Sequence, residues 1–280
     1  MRIHDRYARV TPYEMALPGR AFAEERFELI REEADGRGVD IWDPGAFSML
    51  EQSRRAIADI RVEDDNPVLF VQYGVILFHA FHFRSAGEHL YLMGNEAAHQ
   101  LTRAGLPAAP EDWAFAAPSR AGYVQLPHYL FWARPEAGGP AEALDGFFWA
   151  LTPAHRLHLM VASGMRADRP GLGVMPIPEI PGEEASRWAA ATVRERGDDF
   201  ASTLPGGEDL CSIETLGEVV KLAGRLFWQL ERGLLHAGAL IKRDEAGLGA
   251  REGDADPGSS SRAPLASTLP WRLITTAEAP

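Results

Sequence analysis

The stretch from Ser119 to Pro181 constrains the fold of this chain more than any other. It holds four short apolar runs, each cut off by turn chemistry. Tyr123–Trp132 stops before Pro135, Gly138, Gly139 and Pro140, and Gly146–Leu151 stops at Thr152-Pro153. Leu157–Ala162 stops at Gly164, and Leu172–Ile177 follows a turn that carries Asp168, Pro170, Gly171 and Gly173. Runs of this length between turn residues predict β-strands. The connections are too short for parallel crossovers, which need about a dozen residues or more, so the strands read as an antiparallel meander.

The flanks show helical periodicity instead. Ala21–Ala34 places Phe22, Arg26, Leu29 and Ile30 near one face. Asp43-Pro44 opens a second helix with proline at its first position, and Phe47, Leu50, Arg54, Ile57 and Ile60 follow at helical spacing. Val68–Phe83 is apolar nearly all round, which predicts a buried helix. Ala86–Ala104 reads as an amphipathic helix, Gly182–Arg196 as a short one, and Ser212–Leu235 as a long one with a wide leucine-rich stripe. The fold class is therefore α+β: an antiparallel β-meander of at least four strands packed against N-terminal helices and one long C-terminal helix. Residues 1–20 read as a loose arm, 21–241 as a single domain and 242–268 as a flexible Gly/Ser/Asp-rich linker. Residues 269–280 carry Trp271 and read as a candidate edge strand.

Composition narrows the function classes. Hydrophobic residues make up 46% of the chain, enough for a packed core. The formal charge of −12 and the lack of any long Lys/Arg run argue against direct nucleic-acid binding. A single cysteine, Cys211, gives no internal disulfide and fits a reducing compartment. Neither a signal-like N-terminus nor an apolar stretch long enough for a membrane span occurs, so the expectation is a cytoplasmic protein without a membrane partner.

No complete catalytic set is legible, and no cofactor is expected. His79 and His82 share a helical face, and Glu96 with His99 makes one E-x-x-H. Di-iron carboxylate bundles need two such motifs and further glutamates, which are missing. These four residues carry the alternative reading, a small hydrolase or metal-dependent enzyme. His155 and His158, three apart in a strand, point to opposite faces. Asp145, Glu142 and Glu179 flank the strands and read as solvated loop charge. Arg156, Arg166 and Arg169 form a modest basic group around the third strand and its turn.

The aromatics are more informative. Tyr129, Phe131, Trp132, Phe148 and Trp149 lie on two neighbouring strands, and alternation divides them between two sheet faces. A face left uncovered would be a binding surface, whereas a second helical layer from Ser212–Leu235 would make the same residues core. On the first reading, the protein is a non-enzymatic interaction protein that receives a polypeptide on its aromatic strands or exposed sheet edge, with Arg156, Arg166 and Arg169 as binding candidates that could meet an acidic partner.

The succession YVQLPHYLFW, DGFFWAL, HRLHLMVASGMRADRPGLGVMPIPEIPGEE and IETLGEVVKLAGRLFWQLERG resembles the anti-CRISPR family that blocks the type V-A effector Cas12a, with its wider bacterial relatives. The resemblance covers Ala121–Gly233, anchored on Leu126-Pro127, Gly146–Trp149 and Pro176–Pro178. It implies a non-enzymatic α+β protein that binds a polypeptide, in the family's case a segment of the effector. Where the family carries a His-, Arg- and Trp-rich block before its final strand, this chain has the linker at Gly247–Ala263, so that block's role is not implied here.

Overall fold

The meander forms, and on one side it grows into a larger mixed sheet. A computed structural model describes residues 8–17, 19–60, 67–103, 117–127, 130–133, 142–154, 156–166, 169–181, 213–242 and 267–277. Five helices come first: α1 (Pro12–Ala16), α2 (Arg20–Arg37), α3 (Pro44–Met49), α4 (Glu51–Ile60) and α5 (Pro67–Ser85). Then follow β1 (Leu90–Met93), α6 (Asn95–Arg103), β2 (Ala121–Gln125), β3 (Trp132–Ala133), β4 (Glu142–Leu151), β5 (Arg156–Arg166) and β6 (Arg169–Pro181). The chain closes with α7 (Ile213–Glu231), β7 (Leu235–Ile241) and β8 (Trp271–Thr276). Across the sheet the order is β6, β5, β4, β2, β1, β8, β7, with β3 also pairing β4.

From β2 to β6 the pairings are antiparallel, as the turn chemistry requires. β1 pairs in parallel with both β2 and β8, so the whole sheet is mixed and not a pure antiparallel meander. Several expectations change. Residues 86–104 are not one helix, because Leu90–Met93 is a strand buried at all four positions between two covered faces. Periodicity cannot separate so short a run from a helix segment. Gly94 then brings the chain against β8: a Cβ there would lie 2.9 Å from the Ile274 carbonyl oxygen. The long C-terminal helix stops at Glu231, where Gly233 adopts φ 68° and Leu234 N–H bonds back to Gln229 O at 2.9 Å. The segment after it forms β7. Finally, β8 is no edge; it lies between β1 and β7.

The run Tyr123–Trp132 is two strands, interrupted where Pro127 lacks an N–H for the ladder. Opposite this break β4 bulges: Leu144 pairs with Ser163 and Gly146 with Ala162, leaving Asp145 as the extra residue.

Helices cover both faces. The first side packs α1–α5 onto Leu90, Leu92, Tyr123, Phe148, Met160 and Trp271. The second packs α6 and α7 onto Tyr91, Met93, Val124, Phe147, Trp149, Leu159 and Ile274. Residues 8–17, expected in a loose arm, contribute buried Ala8, Arg9, Thr11, Tyr13 and Leu17. Thr11 and Glu14 form a capping box on α1. The Glu14 carboxylate also accepts from Ser267 Oγ at 2.8 Å and from the Thr268 N–H at 2.6 Å and Oγ1 at 2.7 Å, tying the start of the chain to the approach to β8. Glu14→Ala is expected to lower stability by about 2 kcal/mol, since several bonds to one carboxylate are lost together. Thermal unfolding beside wild type checks this; an unchanged melting temperature would show that the tie contributes nothing. The linker expected at 242–268 and the helix expected at 182–196 fall almost wholly outside the described residues, as does Cys211.

Candidate functional site

The two candidate aromatics of β4 are core rather than surface. Phe148 and Trp149 are each 1% exposed: Phe148 packs under α5 and Trp149 under α7. Phe83 meets Phe148 edge-on at 5.4 Å, and Phe227 meets Trp149 at 5.4 Å. The helical layer from α6 and α7 covers the face that an open sheet would have offered. Phe131 is half-buried at the margin of this core, Trp132 pairs through its backbone with Ala143, and Tyr129 lies outside the described residues.

The arginines are not one group either. Arg156 begins β5, whereas Arg166 pairs in register with Arg169 at the far end. Ten residue steps of extended chain put the two ends roughly 33 Å apart.

The sheet also divides the histidines and glutamate of the alternative reading. His79 and His82 are buried on the α5 side, while Glu96 and His99 are exposed on α6, which packs on the other face. What the fold brings to His79 and His82 is His158, buried on β5 and edge-on to Phe78 at 5.3 Å. His82 stacks on Trp42 at 3.9 Å, and its Nε2 lies 3.0 Å from the Ile41 carbonyl, so Nε2 carries the proton and donates. Burial pushes the His82 pKa down to about 4, against the opposing pull of that hydrogen bond. Burial holds His79 well below the usual imidazole range, and the neighbouring His158 and His82 lower it further. Among the described residues no group of three or more His, Cys, Asp or Glu side chains is arranged to hold a metal ion.

Asp145, expected as a solvated loop charge, is buried and ionically paired. Its Oδ1 accepts from Arg9 Nε at 2.8 Å, and its Oδ2 accepts from the Tyr123 hydroxyl at 2.6 Å and Gln125 Nε2 at 3.2 Å. Arg9 Nη2 donates to Leu126 O at 2.9 Å, and the Arg9 N–H to Gln125 Oε1 at 2.7 Å. Burial, then the Asp145 charge, raises the Tyr123 pKa well above the usual phenol value, so the hydroxyl stays a donor. Periodicity gives no hint of Arg9. An aspartate inside the apolar run LDGFFWAL is the signal that a buried cationic partner must exist.

Two features at this side of the molecule can engage another molecule. One is a cleft beyond the carboxyl ends of β1 and β8, about 340 Å³ in volume, with Arg9 in its wall. The other is β7. It is the last strand of the order, and only Leu235 of its seven residues is buried. Leu240 is 45% exposed, and Ala237 and Ala239 are exposed with it. The helical layers reach Leu235 and Ile241 at its two ends and leave the middle of β7 open. Natural edge strands are blunted with inward charges, lysine, proline or bulges; Leu235-His236-Ala237-Gly238-Ala239-Leu240-Ile241 contains no lysine, proline or acidic residue, though its register against β8 shifts between Ala237 and Leu240.

No protein-family model matches the chain, and no curated protein matches it. Among solved structures the chain is similar to the crystal structure of AcrVA2, at 10% sequence identity and a TM-score of 0.43, over 90% of this chain and 79% of that one. This is a weak structural resemblance, and it carries no residue's role across. Among the described residues no helix is long and apolar enough to cross a membrane.

Proposed function

We propose that this protein is a non-enzymatic binding protein that takes up an extended polypeptide along the outer edge of β7. The observation that supports it is the exposed terminal strand, last in the sheet order among the described residues and free of lysine and proline, whose outer backbone groups can pair with another strand. The chemistry on offer is backbone hydrogen bonding with apolar contact at Ala237, Ala239 and Leu240. That suits capture of a segment and has no reacting group in it. The sequence resemblance to the Cas12a-blocking family makes that effector the first polypeptide to try, with inhibition as the consequence of capture.

The test is an array of overlapping effector peptides probed with the full chain, beside Ala237→Lys/Leu240→Lys. Two lysines at exposed edge positions are expected to alter stability by no more than about 0.5 kcal/mol while weakening peptide binding at least about tenfold, since edge lysines oppose strand addition. Binding untouched by the two lysines would overturn the edge. Absence of any bound effector peptide would overturn the effector as the partner.

A further inference from the structure

Beyond the edge strand, the cleft has a chemistry of its own. The carboxyl ends of β2, β1 and β8 lie side by side and point the same way, and the cleft opens beyond them. Crevices outside the carboxyl ends of neighbouring parallel strands are where open sheets take ligands, and this volume suits a small molecule or the end of a chain.

Two sets of donors belong to residues that line it. The nine-residue α6 follows Gly94, which has no side chain with which to cap it. The first helical bond runs from Ala98 N–H to Gly94 O at 3.0 Å, and among the described residues the N–H groups of Glu96 and Ala97 have no backbone acceptor. Both residues line the cleft. The second donor is Arg9, a charged side chain only 6% exposed. Its Nε and Nη2 are occupied by Asp145 and Leu126, while among the described residues no hydrogen bond engages Nη1. Nη1 is thus the guanidinium nitrogen left for the cleft that Arg9 lines. Asp145 holds the group in place, so a ligand need not order it.

The remaining wall combines apolar Leu92, Met93, Pro127 and Leu273 with the polar side chains of Asn95 and Thr275. Glu96 puts one carboxylate of opposing sign at the rim, on an exposed side chain that can turn to solvent.

We propose that this cleft binds a small carboxylate with a short apolar tail, its oxygens on Arg9 Nη1 and the first-turn amides of α6, its tail against Met93, Pro127 and Leu273. A carboxylate suits two donors meeting from different directions, and the positive end of the helix favours its charge. The same chemistry is presented by a free organic acid and by the C-terminal residue of a polypeptide.

Calorimetric titration of the full chain tests it with butanoate, N-acetylvaline, N-acetylvalinamide, acetyl-Gly-Gly-Val and inorganic phosphate. The acids are expected to bind, and the amide at least about tenfold more weakly, because it lacks the charge that the donors serve. Affinity that rises from N-acetylvaline to the longer peptide identifies a chain end as the source; butanoate binding as well as the peptide identifies a free acid. Glu96→Gln is expected to tighten binding about threefold, the effect of one like charge near solvent. Thr275→Asp is expected to abolish binding without moving the melting temperature, which separates the cleft from the fold. Ala237→Lys/Leu240→Lys leaves this site intact, so its failure and that of the edge are distinguishable. The proposal is overturned by equal binding of acid and amide, by phosphate binding tighter than every carboxylate, by no binding at all, or by affinity that ignores both Glu96→Gln and Thr275→Asp.

Discussion

Asp145→Ala is expected to destabilise the protein by about 3–5 kcal/mol, the range for removing one partner of a buried ion pair. The substitution strands three donors at once. Arg9 keeps a buried charge, Tyr123 a buried hydroxyl and Gln125 a buried carboxamide, all of which now point at the same carboxylate. For a chain of this length such a loss lowers the melting temperature by on the order of 10 °C. Urea unfolding in a double-mutant cycle with Arg9→Met isolates the pair. In the Arg9→Met background Asp145→Ala is expected to cost much less, since the stranded charge is already gone. An equal cost in both backgrounds would show that the ion pair contributes nothing beyond the two side chains separately. Because Arg9 stands in the cleft wall and Asp145 in the bulge of β4, the same cycle measures how firmly the N-terminal segment is held to the sheet.

Acid should weaken the fold before its carboxylates titrate. His82 is neutral in the native state, with its pKa pushed down to about 4, whereas an unfolded imidazole titrates near 6.5. The unfolded chain therefore binds more protons between those values, and stability falls as pH falls. The contribution is fully present above about pH 6.5 and is lost progressively down to about pH 4. The difference between those two values corresponds to roughly 3 kcal/mol from His82 alone. His79 adds to it in the same direction, being buried on the same helix with its Nδ1 lacking a hydrogen-bond partner among the described residues. The check is the urea midpoint at intervals from pH 7.5 to pH 4.5 for wild type and His82→Gln, which retains a donor for the Ile41 carbonyl. The variant is expected to be less stable at neutral pH and to show a flatter slope below pH 6.5. Parallel slopes would mean that His82 is charged or solvated in the native state.

The histidines show what a local reading reaches and where it stops. Three residues apart on an apolar helix, His79 and His82 had to share a buried face, and that much follows from helical geometry. That His158 comes from β5 to join them, while Glu96 and His99 lie across the sheet, depends on which helix covers which face. Similarly, alternation along β4 had to put Phe148 and Trp149 on opposite sides. Whether either side faced water depended on where α7 packed.

Turn residues, strand-length apolar runs and helical stripes were enough to determine the β2–β6 meander and most of the helices, because those signals act over a few neighbouring residues. The parallel half of the sheet was decided only in three dimensions. Leu90–Met93 is too short for its period to distinguish helix from strand, and β8 reaches its place between β1 and β7 from the far end of the chain. Arg9 meets Asp145 across 136 positions of sequence. No local propensity records such a pairing. It forms because a buried carboxylate must find a cation, and the fold that buries one delivers the other.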